Sequence, residues 1–237
     1  MTSIIQKIED TDWQNITEEM HQNGYALIPG VLTEEDCQSL ILAYDQASLY
    51  RKTVIMARHR FGLGEYRYFD YPLPDLIQNL RTHLYPHLAS IANSWFKALH
   101  IDMHYPSKHS AFLQQCHSAN QQKATVLILK YGEGGFNTLH QDLYGDIYFP
   151  IQAVLMLSDP DKDFTGGEFV LTQQVPRAQS KAIVIKPKKG DVLIFTTNFK
   201  PEKGSKGYYR VHMKHGVSEV KQGKRYALGI IFHDATS

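Results

Sequence analysis

At 237 residues the chain has the length of one domain, or of one core with a helical extension, and is long enough to bury a sizeable core. With 43% hydrophobic and 21% charged residues it has the composition of an ordinary soluble protein, and no apolar run is long enough to span a bilayer. A formal net charge of +1 excludes a global basic field, so any nucleic-acid footprint must be local.

The opening MTSIIQKIEDTDWQ turns charged and polar at once, which does not fit a secretory signal. The segment TDWQNITEEMHQNG predicts a short helix ending at Gly24 as a left-handed cap, and YALIPGVL then reads as a strand. TEEDCQSLILAYDQA predicts a helix with Thr33 as N-cap and Asp36 reaching back. Its Cys37, Leu40, Ile41 and Tyr44 fall on one face. Cys37 and Cys116 lack CxxC spacing and read as free thiols in a reducing cytoplasm.

Residues 51–72, RKTVIMARHRFGLGEYRYFDYP, are basic, aromatic and without clean periodicity, and read as a loop with one short strand. From 75 to 99 Leu76, Leu80, Leu84, Leu88, Ile91, Trp95 and Leu99 mark a helix, with Pro86 expected to kink or restart it. After residue 123 seven short segments rich in β-branched and aromatic residues, from ATVLILKYG to RYALGIIFHD, are separated by turn residues. That spacing predicts a sandwich or barrel. The expected class is α+β: a jelly-roll (double-stranded β-helix, cupin-like) barrel over 123–237, with a mainly helical 1–122 in support.

His140 and Asp142 are two apart, so in a strand both side chains point to one face and can reach one ion. A second pair of the same spacing, His100 and Asp102, precedes the barrel and lacks a comparable distal partner. His215, 73 residues after Asp142 and inside strand-like sequence, completes two imidazoles and one carboxylate. Such a facial triad leaves open positions on iron(II) and suits non-haem oxygen chemistry. His212 competes for the third place, but three residues from His215 it points to the other face of a strand. Arg225, ten residues after His215, is placed to hold a dicarboxylate through paired hydrogen bonds.

Together HQD, the distal HGVSEVKQGKR, and the flanking LKYGEGGFNTLHQD, DFTGGEFVL and IKPKKGDVLIF resemble the iron(II)- and 2-oxoglutarate-dependent dioxygenase superfamily over about 125–234, with prolyl-hydroxylase-like features. From about residue 50 onward, YRYFDYPLP, LYPHLASIANSW, LHQDLYGD and GIIFHDA are similar to a prokaryotic oxygenase family described as acting in oxidative demethylation of damaged DNA. The resemblance implies a single oxygenase domain over 1–237 with Fe(II), 2-oxoglutarate and O2 as cofactors, releasing succinate and CO2 as a C–H bond is oxidised. It assigns the iron to His140, Asp142 and His215, and the far carboxylate of 2-oxoglutarate to Arg225. Many members carry Ser or Thr two residues after the arginine. Here that position is Ala227, and Tyr131 becomes the candidate hydroxyl partner.

The implied substrate is alkylated DNA or RNA. Arg58, Arg60, Arg67 and Tyr68, with Phe61, Tyr66 and Phe69 nearby, suit phosphate contacts and base stacking, or else core packing and solvated charge. The basic NFKPEKGSKGYYR, with Lys200, Lys203, Lys206 and Arg210, reads as a lid or an ordinary loop. Alternatives are a hydroxylase of protein side chains or small molecules, and a non-enzymatic jelly-roll binding module. No membrane association and no obligate protein partner are expected.

Overall fold

In the computed structural model, which describes residues 3–143 and 145–237, the first three helices start on side-chain caps. Helices α1 (Ile4–Glu9) and α2 (Trp13–Asn23) begin on the side chains of Ser3 and Asp12. Gly24 ends α2 at φ 77°, a left-handed conformation that glycine adopts without a Cβ penalty. Strand β1 (Tyr25–Ile28) follows, then α3 (Glu34–Ala43), which opens on a reciprocal capping box between Thr33 and Asp36.

The stretch expected to be mostly loop is instead built from strands: β2 (Tyr50–Ile55), the short β3 (Gly62–Leu63) and β4 (Glu65–Phe69). Its periodicity was hidden because both faces of β4 are polar or aromatic. Helix α4 (Asp75–Ala98) runs continuously through Pro86. The buried stripe of Leu80, Leu84, Leu88, Ile91 and Trp95 on both sides outweighs the one hydrogen bond a proline removes. Helix α5 (His109–Ser118) precedes the strand-rich half.

That half holds β5 (Leu127–Tyr131), β6 (Phe136–His140), β7 (Ile151–Met156), β8 (Phe164–Gly166), β9 (Phe169–Gln174) and β10 (Lys181–Ile185). Then come β11 (Val192–Thr196), β12 (Phe199–Gly204), β13 (Gly207–Val217), β14 (Val220–Gly223) and β15 (Arg225–Ile230). One sheet has the order β1-β11-β7-β15-β5-β4-β2; the other has β10-β9-β13-β6-β3 with β12 beside β13; β14 and β8 pair separately. The ladders between these strands are antiparallel. The first 122 residues, expected to be mainly helical, thus also extend both sheets. The supposed lid loop is the β12–β13 hairpin, and Lys200 within it is fully buried.

Strand alternation gives the larger sheet two different faces. Ile128, Ile151, Ala153, Leu155, Val192, Ile194, Leu228 and Ile230 pack with the helices in the main core. Val154, Leu193, Phe195 and Ala227 turn the other way and meet Phe169, Leu171 and Met213 of the second sheet. The two sheets therefore pack face to face, with the helices covering the outside of one. Among the described residues, no helix is long and apolar enough to cross a membrane.

A buried polar network ties down the C-terminus. Arg81 donates to the carbonyls of Ile231, Phe232 and His233 and pairs with Asp234 at 2.8 Å. The Gln121 amide bridges the carbonyls of Asp234 and Ile147, and His233 Nδ1 accepts from the Phe149 amide. Ile147 and Phe149 lie between Asp142 and β7, so the network fixes the far end of that connection.

Burial, reinforced by the nearby Arg81 charge, holds His109 down at about 3 and His233 at about 4. Unfolded, both titrate near the ordinary histidine value of about 6.5. Between these limits the unfolded chain binds protons that the folded one does not, so stability is full above about pH 6.5 and is lost as pH falls. The expected loss from pH 6.5 to 5 is about 3 kcal/mol for the pair, measurable by urea unfolding. A His109→Gln variant is expected to show about half the slope; a flat curve over this range would mean the imidazoles are not held neutral.

Candidate active site

The end of β6 and the middle of β13 are brought together by their ladder, in which His140 and His215 are direct partners. Their ring centroids are 4.2 Å apart. Asp142, just past the end of β6, places its two oxygens 3.5 Å from His140 Nε2 and 3.4 Å from His215 Nε2. One ligand atom from each residue lies within 4.8 Å of the other two, and among the described residues this is the one such group. His212 sits on the opposite, exposed face of β13, and His100 and Asp102 lie outside the cluster.

The imidazoles are held differently. His140 Nδ1 donates to the Thr138 carbonyl at 2.7 Å, which leaves the Nε2 lone pair for a cation. Burial and the neighbouring His215 keep its pKa below the usual histidine range, so it stays neutral and able to ligate. The His215 ring is clamped by Phe195 at 4.7 Å and Phe169 at 6.0 Å, while its buried Nδ1 has no hydrogen-bond partner among the described residues. Burial opposes the charge on Asp142, but His215 and His140 outweigh it and hold the carboxyl at about 2. Two imidazole nitrogens and one carboxylate form a donor set that suits a divalent first-row metal.

The triad borders a cavity of about 370 Å³ between the sheets. Arg225 and Tyr131 line it as register partners on β15 and β5. Arg225 is 1% exposed, yet among the described residues its Nε and Nη2 have no hydrogen-bond partner, and the buried Tyr131 hydroxyl has none either. The guanidinium lies 5.4 Å from the Tyr131 ring centroid. Burial lowers the Arg225 pKa and pushes the Tyr131 phenol up to about 12. An unpaired buried guanidinium is costly, and a carboxylate arriving from solvent would satisfy it. Ala227, two residues on, faces the same side and offers no hydroxyl. Gly167, at φ 60°, makes the room: a Cβ there would come 3.0 Å from Arg225 Cδ.

The proposed substrate residues separate. Tyr68 lines the cavity with Tyr66 and Phe61. Arg67, next in sequence, faces the other side of β4, where it pairs with Glu65 at 3.1 Å and lies over the Tyr44 ring at 4.2 Å. Arg58 and Arg60 are exposed on the turn before β3 and do not line the cavity. Phe61 stacks on His59 at 5.3 Å and is 45% exposed. The Phe169–Phe195 clamp and the Arg81–Asp234 network carry no spacing signal that would have revealed them from sequence.

This fold is shared with iron(II)/2-oxoglutarate oxygenases. A Burkholderia pseudomallei oxidoreductase of the 2OG-Fe(II) oxygenase family superimposes with a TM-score of 0.56 at 14% identity, covering 96% of this chain and 95% of that one. A Trichoplax adhaerens prolyl hydroxylase solved with a hypoxia-inducible-factor peptide gives 0.55 at 15% identity, covering 95% and 94%. Residues 64–235 match the family model described as "Oxygenase, catalysing oxidative methylation of damaged DNA", and the chain belongs to that family. Mycobacterium tuberculosis Rv2227, an uncharacterized protein, is 41% identical over 190 residues, 78% of this chain and 82% of that one. Family membership makes the protein an oxygenase, and its fold is the one found in iron(II)/2-oxoglutarate oxygenases.

Proposed function

We propose that His140, Asp142 and His215 hold the iron, that Arg225 with Tyr131 receives the far carboxylate of 2-oxoglutarate, and that the substrate is an alkylated nucleic acid. On this reading the facing sheets form a double-stranded β-helix whose interior is the cavity, and residues 1–237 act as one oxygenase domain. The observation that carries the cosubstrate assignment is the buried guanidinium in the cavity that the triad borders, with Nε and Nη2 unpartnered among the described residues. When bound, iron and 2-oxoglutarate supply the oxidising power: dioxygen gives one oxygen atom to succinate and one to the product, and carbon dioxide leaves.

The protein's own part is positional. His140 presents Nε2 because Thr138 takes its other proton. The phenylalanines fix the His215 ring. The closely packed walls around Arg225 limit bulk water, which strengthens a charge pair formed there. No side chain is required as a general base.

The family description supports a nucleic-acid substrate, as do the cationic Arg58 and Arg60 beside the exposed His59–Phe61 stack at the cavity rim. Succinate release is the deciding measurement, compared across methylated oligonucleotides, proline peptides and free metabolites. Methylated oligonucleotides are expected to stimulate it, with binding that weakens steeply as salt rises. Stimulation by proline peptides or metabolites alone, or oligonucleotide affinity indifferent to salt, would overturn the nucleic-acid assignment.

A further inference from the structure

The β6–β13 ladder stops at the His140–His215 pair, two residues before Asp142. Regular strand geometry therefore does not explain why Asp142 faces both histidines. The residue between the ligands supplies the missing contact. Gln141 Nε2 donates to the Met213 carbonyl at 2.8 Å and the Asn198 carbonyl at 2.9 Å, with Asn198 Oδ1 at 3.3 Å. Met213 lies two residues before His215 on β13, and its own amide donates to the Asn198 carbonyl at 2.8 Å. One side-chain amide thus faces three oxygens, one on the strand that carries the distal histidine and two on Asn198, which is itself hydrogen-bonded to that strand.

We infer that Gln141 is a positioning residue: its amide ties the chain just past β6 to Met213 of β13 and to Asn198, and so holds Asp142 against His215. The acceptors are all oxygens, so the position needs a donor of about this length. Leucine fills similar space without donating and leaves the carbonyls unsatisfied. Lysine keeps the donor. The inference rests on the ligand set proposed above, and the test separates the two.

Two measurements compare Gln141→Leu and Gln141→Lys with the parent: Co(II) affinity by titration calorimetry, and amide hydrogen exchange over residues 141–147 in metal-free protein. In Gln141→Leu, affinity is expected to fall about 10–100-fold, the usual range for losing a contact that orients a metal ligand, and exchange in the segment to rise. In Gln141→Lys both should stay near the parent values. Parental behaviour of the leucine variant, or equal impairment of both variants, overturns the inference. A parent that binds no Co(II) sinks the ligand set instead, while the metal-free exchange comparison still decides the role of Gln141.

Discussion

Replacing His215 with alanine is expected to cut 2-oxoglutarate turnover by more than about 100-fold, since losing a ligand should exceed the 10–100-fold usual for its supporting contacts. The same variant should lose the weak visible charge-transfer band that Fe(II) and 2-oxoglutarate give anaerobically. Asp142→Asn should behave alike, because a neutral amide replaces a carboxylate held ionised at about 2 by the two imidazoles. His212→Ala is the control. It lies three residues away on the exposed face of β13, so turnover within about two-fold of the parent is expected, as for a surface substitution. A His215→Ala protein that keeps the band, or a His212→Ala protein that loses it, would remove His215 from the metal.

The second large effect concerns Arg225 and has two opposed parts. Arg225→Met should raise the half-saturating 2-oxoglutarate concentration about 30-fold or more, since truncating one member of a buried charge pair costs 2 kcal/mol or above. The cosubstrate-free variant should nonetheless melt about 2–4 °C higher than the parent, because it no longer buries an unpaired cation. Added 2-oxoglutarate should raise the parent's melting temperature, and about 30-fold more should be needed for the same rise in the variant. An unchanged half-saturation, or a variant less stable without cosubstrate, would show that Arg225 is satisfied from within the protein.

Much of the local structure was legible because local chemistry decides it. Thr33 and Asp36 form their capping box from neighbouring atoms alone, and Gly24 ends α2 for the same kind of reason. The seven strand-like segments after residue 123 all correspond to strands, since β-branched and aromatic runs between turn residues have few other ways to pack. Residues 51–72 were less legible: with aromatic and charged side chains on both faces of β4, no hydrophobic alternation shows. The fates of Arg67 and Tyr68 follow from that strand, which sends one toward Glu65 and the other into the cavity. Pro86 and Lys200 depart from their local preferences because the burial of their surroundings prevails.

By itself, then, the sequence determined the end of α2, the start of α3, seven of the described strands of the second half, and the residue types and spacing of a candidate metal-binding set. Whether His140 and His215, 75 residues apart, share a site was decided only by the pairing of β6 with β13. Tertiary structure also buried Arg225 with no hydrogen-bond partner for its Nε and Nη2 among the described residues, and put Gln141 where the ladder ends. The physical reason is range: caps and turns are settled over a few residues, whereas a buried charge or a cross-strand contact depends on which distant segments exclude water from it.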